Sequence, residues 1–221
     1  MRLRDIALLV TFAATVVASM PASRGQAAAP TRDDIVSTLS KFDAGPDLDI
    51  AALKQTILER SRSRSRKEPP PSKRPLVVPD ILDLPTVNLA IQFDVDTPII
   101  LPESYETVGR LADALVNAPL LPYTFLIVGH TDSTGKREAN VILSQRRADA
   151  VRDVLINTFK ISSKRLQSLG LGEEQFIDRA HPTSAVNRQI QVMTIGKLPE
   201  EPATQAPAVT HAAKKAKKKK R

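Results

Sequence analysis

The chain has 221 residues, a formal net charge of +8, three histidines, no cysteine and no tryptophan. This length suits one ordinary domain with additional segments. The lack of cysteine excludes disulfides, thiolate metal sites and thiol nucleophiles, and the few aromatic residues leave little surface for stacking on nucleic acid bases or sugars.

The positive charge is concentrated at the two ends of the chain. Residues 1–27 contribute +2 and the last eight residues, "KKAKKKKR", contribute +7, which leaves −1 for everything between them. The body of the protein is therefore close to neutral, and a fold with a basic nucleic-acid-binding face is not expected.

The N-terminus has the pattern of an export signal. Arg2 and Arg4 precede the apolar run "IALLVTFAATVVASM", and "GQAAA" offers small residues for cleavage, with the preferred cut after Ala27. The alternative is a retained membrane anchor, although the apolar run is shorter than the ~20 residues that a bilayer crossing needs. We expect residues 1–27 to be a cleaved signal peptide.

Residues 28–60 are predicted to be a short helical extension. "RDDIVSTLSKF" and "DLDIAALKQTILER" both have helical spacing of apolar residues, and Gly45 and Pro46 separate them. So small a pair of helices is expected to pack on the main domain or on a partner. Residues 61–85, beginning "SRSRSRKEPPPSKRP", have no periodicity and are predicted to be a solvated basic, proline-rich linker.

Residues 86–197 alternate between strand and helix patterns. "VNLAIQF", "YTFLIV", "RLQSLGLG" and "RQIQVMTI" are predicted strands, "LPESYETVGRLADALVNA" is a helix with one apolar face, and a long helix runs from about Glu138 to Phe159. The order predicts an α/β (α+β) fold in which helices pack on a sheet. Residues 198–221, rich in proline and alanine and then in lysine, are predicted to be a disordered tail.

The long helix carries an arginine among apolar residues. At 100° per residue, Arg147 falls in the middle of an arc that also contains Asn140 and the apolar residues Leu143, Ala150, Val151 and Val154. A cation without a partner is costly to bury. The helix follows the loop "GHTDSTG", so Asp132 is expected to share a half-buried cavity with Arg147.

Two interpretations of these residues remain open from spacing alone. In the structural one, Asp132 pairs with Arg147, or Asp132 caps its own turn while Arg147 extends to solvent. In the functional one, the two side chains hold opposite ends of a zwitterionic ligand, with Arg147 on its carboxylate and Asp132 on its ammonium group.

Residues 86–197 resemble the OmpA-like peptidoglycan-binding domain found at the C-terminus of many Gram-negative envelope proteins. The resemblance lies in "IQFDVDTPIILPE", "GHTDSTG", "RLQSLGLGEEQF" and "NRQIQV", and above all in "NVILSQRRADAV". That last stretch fits the family's helix pattern at Asn140, Leu143, Ser144, Arg147, Ala148 and Val151.

The resemblance implies a two-layer βαβαββ domain with a mixed sheet and a non-covalent site for the diaminopimelate residue of peptidoglycan. The aspartate and arginine that hold this residue in the family correspond to Asp132 and Arg147, and Thr131, Asn140 and Arg188 match secondary binding positions. Ser184, Gln189 and Phe176 depart from the family pattern, which concerns the far wall of the site rather than its central pair.

An enzyme is not expected. His130 lies beside Asp132, but His181 has no metal-ligand spacing to it, His211 is in the tail, and no serine has a nucleophile-elbow context. The sequence therefore predicts no catalytic residue, no metal and no cofactor.

Localisation and partners follow from the export signal and the resemblance. We expect an exported, periplasmic protein that is associated with diaminopimelate-type peptidoglycan and with the outer membrane. The lysine-rich tail is expected to contact anionic lipid or lipopolysaccharide. The alternative function is polyanion or nucleic-acid binding through the basic linker and the tail, but nucleic acid is not the expected partner of an exported protein.

Overall fold

The computed structural model describes residues 29–63, 69–70 and 73–199. The predicted signal peptide and the predicted tail from residue 200 onwards lie outside the described residues. Of the helices in the described ranges, none has both the length and the apolar character that crossing a bilayer requires.

Helices and strands alternate through most of the described part of the chain. The helices are α1 (Arg32–Leu39), α2 (Ile50–Arg62), α3 (Tyr105–Leu115) and α4 (Arg137–Asn157). The strands are β1 (Thr86–Leu89), β2 (Tyr123–His130), β3 (Leu166–Gly172) and β4 (Ile190–Lys197). Helix α1 begins at a capping box between Thr31 and Asp34, and Asp49 caps α2, which explains why both short helices form where the sequence predicts them.

The four strands form one mixed sheet in the order β1-β4-β2-β3. Strands β2 and β3 are parallel and are joined by α4, as a parallel pair requires a crossover connection. Strand β4 is antiparallel to both β1 and β2. From β1 onwards the element order is βαβαββ, so the predicted fold class is confirmed.

One face of the sheet packs against α1, α3 and α4. Phe125 and Ile127 of β2 point into this core, which contains the predicted apolar face of α3, namely Val108, Leu111 and Leu115. Helix α1 adds Ile35 and Leu39, and the buried Thr194 hydroxyl of β4 donates a hydrogen bond of 2.7 Å to the Leu39 carbonyl. The first helix of the extension is therefore fixed to the last strand.

The other face of the sheet is covered by residues that precede β1. Leu126 and Val128 of β2 lie in this second core with three further sheet residues, Leu169, Leu171 and Met193. The residues of the extension and linker that pack on them are Phe42, Ile50, Ile57, Val78, Ile81 and Leu84. Of the two positions predicted for the extension, on the domain or on a partner, the structure has it on the domain.

Helix α4 faces the sheet through a different stripe from the predicted one. Its buried residues are Asn140, Val141, Ser144, Ala148, Val151 and Leu155, whereas Leu143, Arg147, Ala150 and Val154 are only partly buried. A Cβ on Gly129 would lie 2.2 Å from the Ser144 carbonyl oxygen, and one on Gly170 would lie 2.3 Å from the Gln145 amide nitrogen. These two glycines let the helix backbone touch the sheet at Ser144 and Gln145, which places Arg147 at the margin of the buried stripe rather than at its centre.

Two further predictions about segments were wrong in part. The strand predicted over "VNLAIQF" ends at Leu89, where the Ile91 amide turns back to the Leu89 carbonyl, and Phe93 pairs only in an isolated bridge with Ile100. The linker is not a solvated spacer at Arg74, whose side chain is 12% exposed and forms an ion pair with Glu173 at 2.9 Å.

Candidate functional site

The candidate site lies where β2 ends and α4 begins. The loop after His130 carries Thr131 and Asp132, and the close packing of Gly129 on Ser144 brings the first half of α4 beneath it. The Thr131 amide donates to the Gly172 carbonyl at 3.0 Å, and the Ser133 amide donates to the Pro182 carbonyl at 3.0 Å. The loop is therefore held from three sides, by α4, by the end of β3 and by the loop before β4.

Asn140 fixes this loop from below. Its Nδ2 lies 3.3 Å from the Asp132 carbonyl, 2.9 Å from the Thr134 carbonyl and 2.8 Å from Oε2 of Glu173. Three acceptors share the two hydrogens of one amide group. Asn140 was predicted as a secondary binding residue, but the structure places it under the loop, with its donors committed to the protein.

Asp132 is buried, and its carboxylate is paired. Oδ1 accepts hydrogen bonds from the amide and the hydroxyl of Thr134, and Oδ2 accepts one from Nη1 of Arg188. Burial raises the pKa of Asp132, but the Thr134 hydrogen bonds and the hydrogen bond and charge of Arg188 together leave its pKa below the usual value. Asp132 is thus an anion that closes its own turn and holds Arg188.

Arg147 contacts backbone rather than a carboxylate. Its Nε donates to the Thr97 carbonyl at 3.0 Å, its Nη2 lies 3.4 Å from the Asp94 carbonyl, and its guanidinium lies 5.0 Å from the centre of the Phe93 ring. Burial lowers the pKa of Arg147, Asp96 raises it, Arg188 lowers it, and Asp132 raises it; the net direction is downward.

The central pair is therefore close in space without being bonded. Among the described residues, Asp132 and Arg147 share neither a hydrogen bond nor an ion pair, although the charge of Asp132 acts to raise the pKa of Arg147. The prediction that Asp132 and Arg147 pair directly does not hold. In the other form of the structural interpretation Asp132 caps its own turn, and this contact is present, because Oδ1 accepts from the Thr134 amide while Oδ2 accepts from Arg188.

Thr131 carries an unsatisfied polar atom at this site. The residue is 4% exposed, and its Oγ1 has no hydrogen-bond partner among the described residues. A buried hydroxyl without a partner typically costs about 1–3 kcal/mol. Such groups are uncommon in folded proteins, so this atom points to a missing polar partner beside Asp132.

The segment before β4 supplies Arg188 and the far side of the site. Asn187 is fully buried, and its side chain bonds to the backbone of Asp178, His181 and Pro182, which shapes this loop. Ser184, one of the departures from the family pattern, caps the short 3-10 helix Ala185–Asn187. Arg188 follows at once and is half exposed, so its head group reaches Asp132 from the solvent side.

The other two departures from the family pattern are also accommodated in the fold. The Gln189 carbonyl accepts a hydrogen bond from the His130 amide at 3.1 Å, which continues the pairing of β2 with β4. Phe176 is 7% exposed and contributes an apolar side chain to the loop after β3. Neither residue disturbs the positions of Asp132, Arg147 or Arg188.

His130 is a satisfied buried residue. Its ring nitrogens lie 2.9 Å from the Gln175 carbonyl and 2.8 Å from the Gln191 side chain, and burial lowers its pKa, with both hydrogen bonds opposing that shift. Within the described ranges, no group of three or more His, Cys, Asp or Glu residues is arranged to hold a metal ion.

Two cavities lie on the other side of α4 and do not include the predicted site. One, of about 410 Å³, is lined mainly by charged residues, among them Arg62, Arg74, Lys136, Arg137 and Glu138. The other, of about 250 Å³, lies between α2 and α4 and is mostly apolar. Neither is lined by Asp132, Arg147, Thr131, Asn140 or Arg188.

Sequence reasoning missed the partners of Arg147 and the role of Glu173. The carbonyls of Asp94 and Thr97 are presented by a turn in which Asp96 has a positive φ of 55°, a conformation that aspartate tolerates better than most residues. The only signal was "FDVDTP", which the family resemblance includes but which local pattern does not connect to α4.

Comparison with known proteins supports the resemblance noted in the sequence. The model of the OmpA family matches residues 92–190. Outer membrane porin F of Pseudomonas aeruginosa is 36% identical over 115 residues, which is 51% of this chain and 32% of porin F. The peptidoglycan-associated lipoprotein of Brucella melitensis is 36% identical over 92 residues, which is 41% of this chain and 53% of the lipoprotein.

Among the solved structures similar to this chain is the OmpA-like domain of FopA1 from Francisella tularensis, which is 18% identical with a TM-score of 0.42. The match covers 51% of this chain and 75% of the FopA1 chain. This chain spans only part of the length of porin F and of the lipoprotein. The part of the chain that is similar to the OmpA family is residues 92–190.

Proposed function

We propose that this protein is a non-catalytic cell-wall binding module that holds the diaminopimelate residue of peptidoglycan stem peptides. The observation that carries the proposal is the arrangement of Arg147 and Asp132. A partly buried guanidinium and a buried carboxylate lie within electrostatic reach of one another, and they do not neutralise each other directly. The relationship to a peptidoglycan-associated lipoprotein supports the choice of ligand.

The cationic side of the site suits a carboxylate. Nη1 of Arg147 makes no hydrogen bond among the described residues, and the contact of Nη2 with Asp94 is long at 3.4 Å. A guanidinium can add two parallel hydrogen bonds to a carboxylate, and such bonds are about twice as strong as those between neutral groups. Phe93 beneath the guanidinium keeps its plane fixed while the outer edge accepts the ligand.

The anionic side of the site suits an ammonium group. An ionised carboxylate accepts about four hydrogen bonds, and Asp132 receives three, two from Thr134 and one from Arg188. One more donor can be accommodated, and the adjacent Thr131 hydroxyl lacks a partner. The free end of diaminopimelate carries an ammonium and a carboxylate on one carbon atom, so it offers both missing partners at once.

Arg188 has a defined role in this arrangement. Its head group is half exposed and bonds to one oxygen of Asp132, so it can remain there as a second cation for the ligand carboxylate or withdraw when the ammonium group arrives. In either case Arg188 keeps the Asp132 charge paired before the ligand binds. Asn140 acts in the same proposal as a positioning residue rather than as a ligand contact.

This function assigns the protein to the cell envelope. A module that binds peptidoglycan would act in the periplasm and would connect the wall to whatever the N-terminus or the tail contacts. The proposal includes no reaction, because His130 is enclosed by hydrogen bonds and no nucleophile accompanies it in the site.

Co-sedimentation with purified sacculi tests the proposal. Asp132→Ala and Arg147→Ala are expected to abolish binding while the variants remain folded by circular dichroism. The matched control is Arg146→Ala, which removes the same charge from the neighbouring exposed position on α4. Wild-type binding by folded Asp132→Ala and Arg147→Ala variants would contradict the proposal, as would equal loss in Arg146→Ala.

Competition by free amino acids identifies the ligand group. Diaminopimelate is expected to displace the protein from sacculi, whereas lysine with its α-amino and α-carboxyl groups blocked, which offers only a side-chain ammonium, is not expected to do so. Sacculi with lysine in place of diaminopimelate are expected to bind poorly for the same reason. Equal competition by both amino acids would show that the Arg147 side of the site does not recognise a carboxylate.

The alternative function is polyanion or nucleic-acid binding through the basic linker and the lysine-rich tail. Of the described arginines in and beside the linker, Arg60 and Arg74 form ion pairs with buried glutamates. The tail retains a charge of +7 over its last eight residues. Removal of residues 211–221 is expected to weaken salt-dependent binding to anionic vesicles and to leave sacculus binding unchanged.

A further inference from the structure

Two consecutive glutamates lie buried directly after β3. The side chains of Glu173 and Glu174 are 5% and 0% exposed. Burying a carboxylate is costly unless it is paired and hydrogen-bonded. Both glutamates meet this requirement through arginines that precede β1, outside the family-matched region: Arg74 for Glu173, and Arg60, together with Arg137 of α4, for Glu174.

Glu173 connects the linker to the candidate site. Its Oε1 accepts a hydrogen bond from Nη1 of Arg74 at 2.9 Å, and its Oε2 accepts one from Nδ2 of Asn140 at 2.8 Å. The same Asn140 nitrogen holds the carbonyls of Asp132 and Thr134. A continuous series of four groups therefore runs from Arg74 through Glu173 and Asn140 to the loop that carries Asp132.

The amide orientation of Asn140 is the step on which this series depends. If the amide were reversed, its oxygen would face the Glu173 carboxylate and two backbone carbonyls, all of which are acceptors. The Glu173 carboxylate therefore selects the orientation in which Nδ2 holds the loop. Arg74 in turn holds this carboxylate in place, because without Arg74 it would be buried with no cation bonded to it among the described residues.

We propose that Arg74 is a positioning residue for wall binding, which holds the Asp132 loop in its binding geometry through Glu173 and Asn140. This inference rests on the proposed function of the Asp132 and Arg147 site. The Asp132 loop then has its binding geometry only while the linker is docked on Glu173. Displacement of the linker therefore lowers affinity for the wall without any change in the residues that touch the ligand.

Glu174 provides an internal control for this relay. It is the next residue along the chain and is equally buried, and Arg60 of α2 pairs with it at 3.2 Å. The other partner of Glu174 is Arg137, which forms a bidentate ion pair with it. None of the described bonds of Glu174 reaches the Asp132 loop. Loss of Arg60 removes its ion pair with Glu174 and a hydrogen bond of 2.6 Å from Nη2 to the Pro75 carbonyl, but leaves the bonds that Glu173 and Asn140 make around the loop intact.

Calorimetric titration of the mature chain with soluble diaminopimelate-type muropeptides tests the proposal. Arg74→Met is expected to weaken binding about 5- to 20-fold, in the range of typical coupling between sites, while Arg60→Met stays within about twofold. Arg74→Lys is expected to restore most of the affinity because it returns the cation. The double variant Arg74→Met/Glu173→Gln is also expected to recover, since neutral glutamine needs no cation and its carbonyl can still accept from Asn140.

A second measurement follows the stability of the Asp132 loop in the absence of any ligand. The Thr134 amide donates to Asp132, and the Ser133 amide donates to Pro182. Hydrogen exchange at these two amides is expected to accelerate in Arg74→Met and not in Arg60→Met. Should Arg74→Met prove poorly folded, Arg74→Gln, which removes the cation but keeps a polar side chain beside Glu173, gives the same comparison in a milder form.

The outcomes separate this inference from the proposed function. If Asp132→Ala binds muropeptides normally, the proposed site is wrong, and loop exchange alone then decides whether the relay exists. If Asp132→Ala abolishes binding while Arg74→Met binds like the wild type, the site stands and the positioning role is overturned. Equal losses in Arg74→Met and Arg60→Met would also overturn it, because they would reflect general destabilisation.

Discussion

Arg147 and Arg165 make similar contacts in two regions of the molecule with different functions. Each guanidinium lies over a phenylalanine, Phe93 for Arg147 and Phe125 for Arg165, at 5.0 and 5.4 Å from the ring centre. Each bonds to backbone carbonyls and to no carboxylate among the described residues. Burial lowers the pKa of both side chains.

The two arginines differ in how many of their hydrogen bonds are satisfied and in the charges around them. Arg165 is 6% exposed and bonds to three carbonyls, those of Tyr123, Leu115 and Leu120, and burial is the only cause of its shifted pKa. Arg147 makes one close hydrogen bond to a carbonyl, and the outer edge of its guanidinium is left without a bond among the described residues. The charges of Asp96, Arg188 and Asp132 also affect its pKa. A buried arginine is therefore not by itself a sign of a ligand site. An arginine that has unused hydrogen-bond donors and lies among other charged groups is such a sign.

Replacement of Arg165 is expected to have the largest effect, and that effect is on stability. Arg165→Met leaves three inward-facing carbonyls without their donor, which we expect to cost about 3 kcal/mol of unfolding free energy. Urea unfolding followed by circular dichroism measures the loss. Sacculus binding by the fraction that is still folded is expected to be unchanged, and a selective loss of binding would break the distinction between the two arginines.

The same replacement at Arg147 is expected to have the opposite pattern. Arg147→Met should weaken muropeptide binding about 100-fold, as expected when one partner of a desolvated charge pair is removed. Its effect on unfolding free energy should stay below about 1 kcal/mol, because the Asp94 and Thr97 carbonyls lie in an exposed turn that water can reach. Calorimetric titration and urea unfolding of the same sample measure both quantities. A large stability loss with normal affinity would make Arg147 a structural residue like Arg165.

His130 is a third buried basic residue, and it extends the comparison to the pH dependence of the unfolding free energy. The pKa of His130 is lowered by burial, so below pH ~6.5 the unfolded chain gains a proton that the folded chain does not. The unfolding free energy is therefore expected to fall as pH decreases from about 7 to 5.5. Urea unfolding at several pH values should show a flatter profile in His130→Gln, while His181→Gln, at an exposed position, should retain the slope. An unchanged slope in His130→Gln would mean that another group titrates.

The sequence predicted the fold and the location of the site better than the bonding within it. Periodicity located the strands and helices, and helical spacing with a loop aspartate singled out Asp132 and Arg147. Arg188 was included only through the family resemblance, and its bond to Asp132, across 56 positions in the chain, has no local signature. The contacts of Arg147 with the turn at Asp94–Thr97 span 50 and 53 positions and were equally hidden.

The misplacement of Arg147 at the centre of the buried stripe has a similar origin. Ideal helical geometry treats every apolar residue of α4 alike, whereas the actual contact line is set by Gly129 and Gly170 on the strands below. Glycines that allow a close approach are visible in a sequence, but which helix residues meet them depends on how the helix is placed on the sheet. The ion pairs of Glu173 and Glu174 escaped prediction because their arginines lie in a segment whose composition is typical of solvated linkers.

The second core has a consequence for any shortened version of this protein. The OmpA-family match begins at residue 92, but the apolar sheet face formed by Leu126, Val128, Leu169, Leu171 and Met193 packs against earlier residues, namely Phe42, Ile50, Ile57, Val78, Ile81 and Leu84. A recombinant fragment cut at the family boundary would expose that face to water, and such a surface tends to self-associate. The smallest unit expected to stay monomeric in solution therefore begins near residue 29, well before the family match begins.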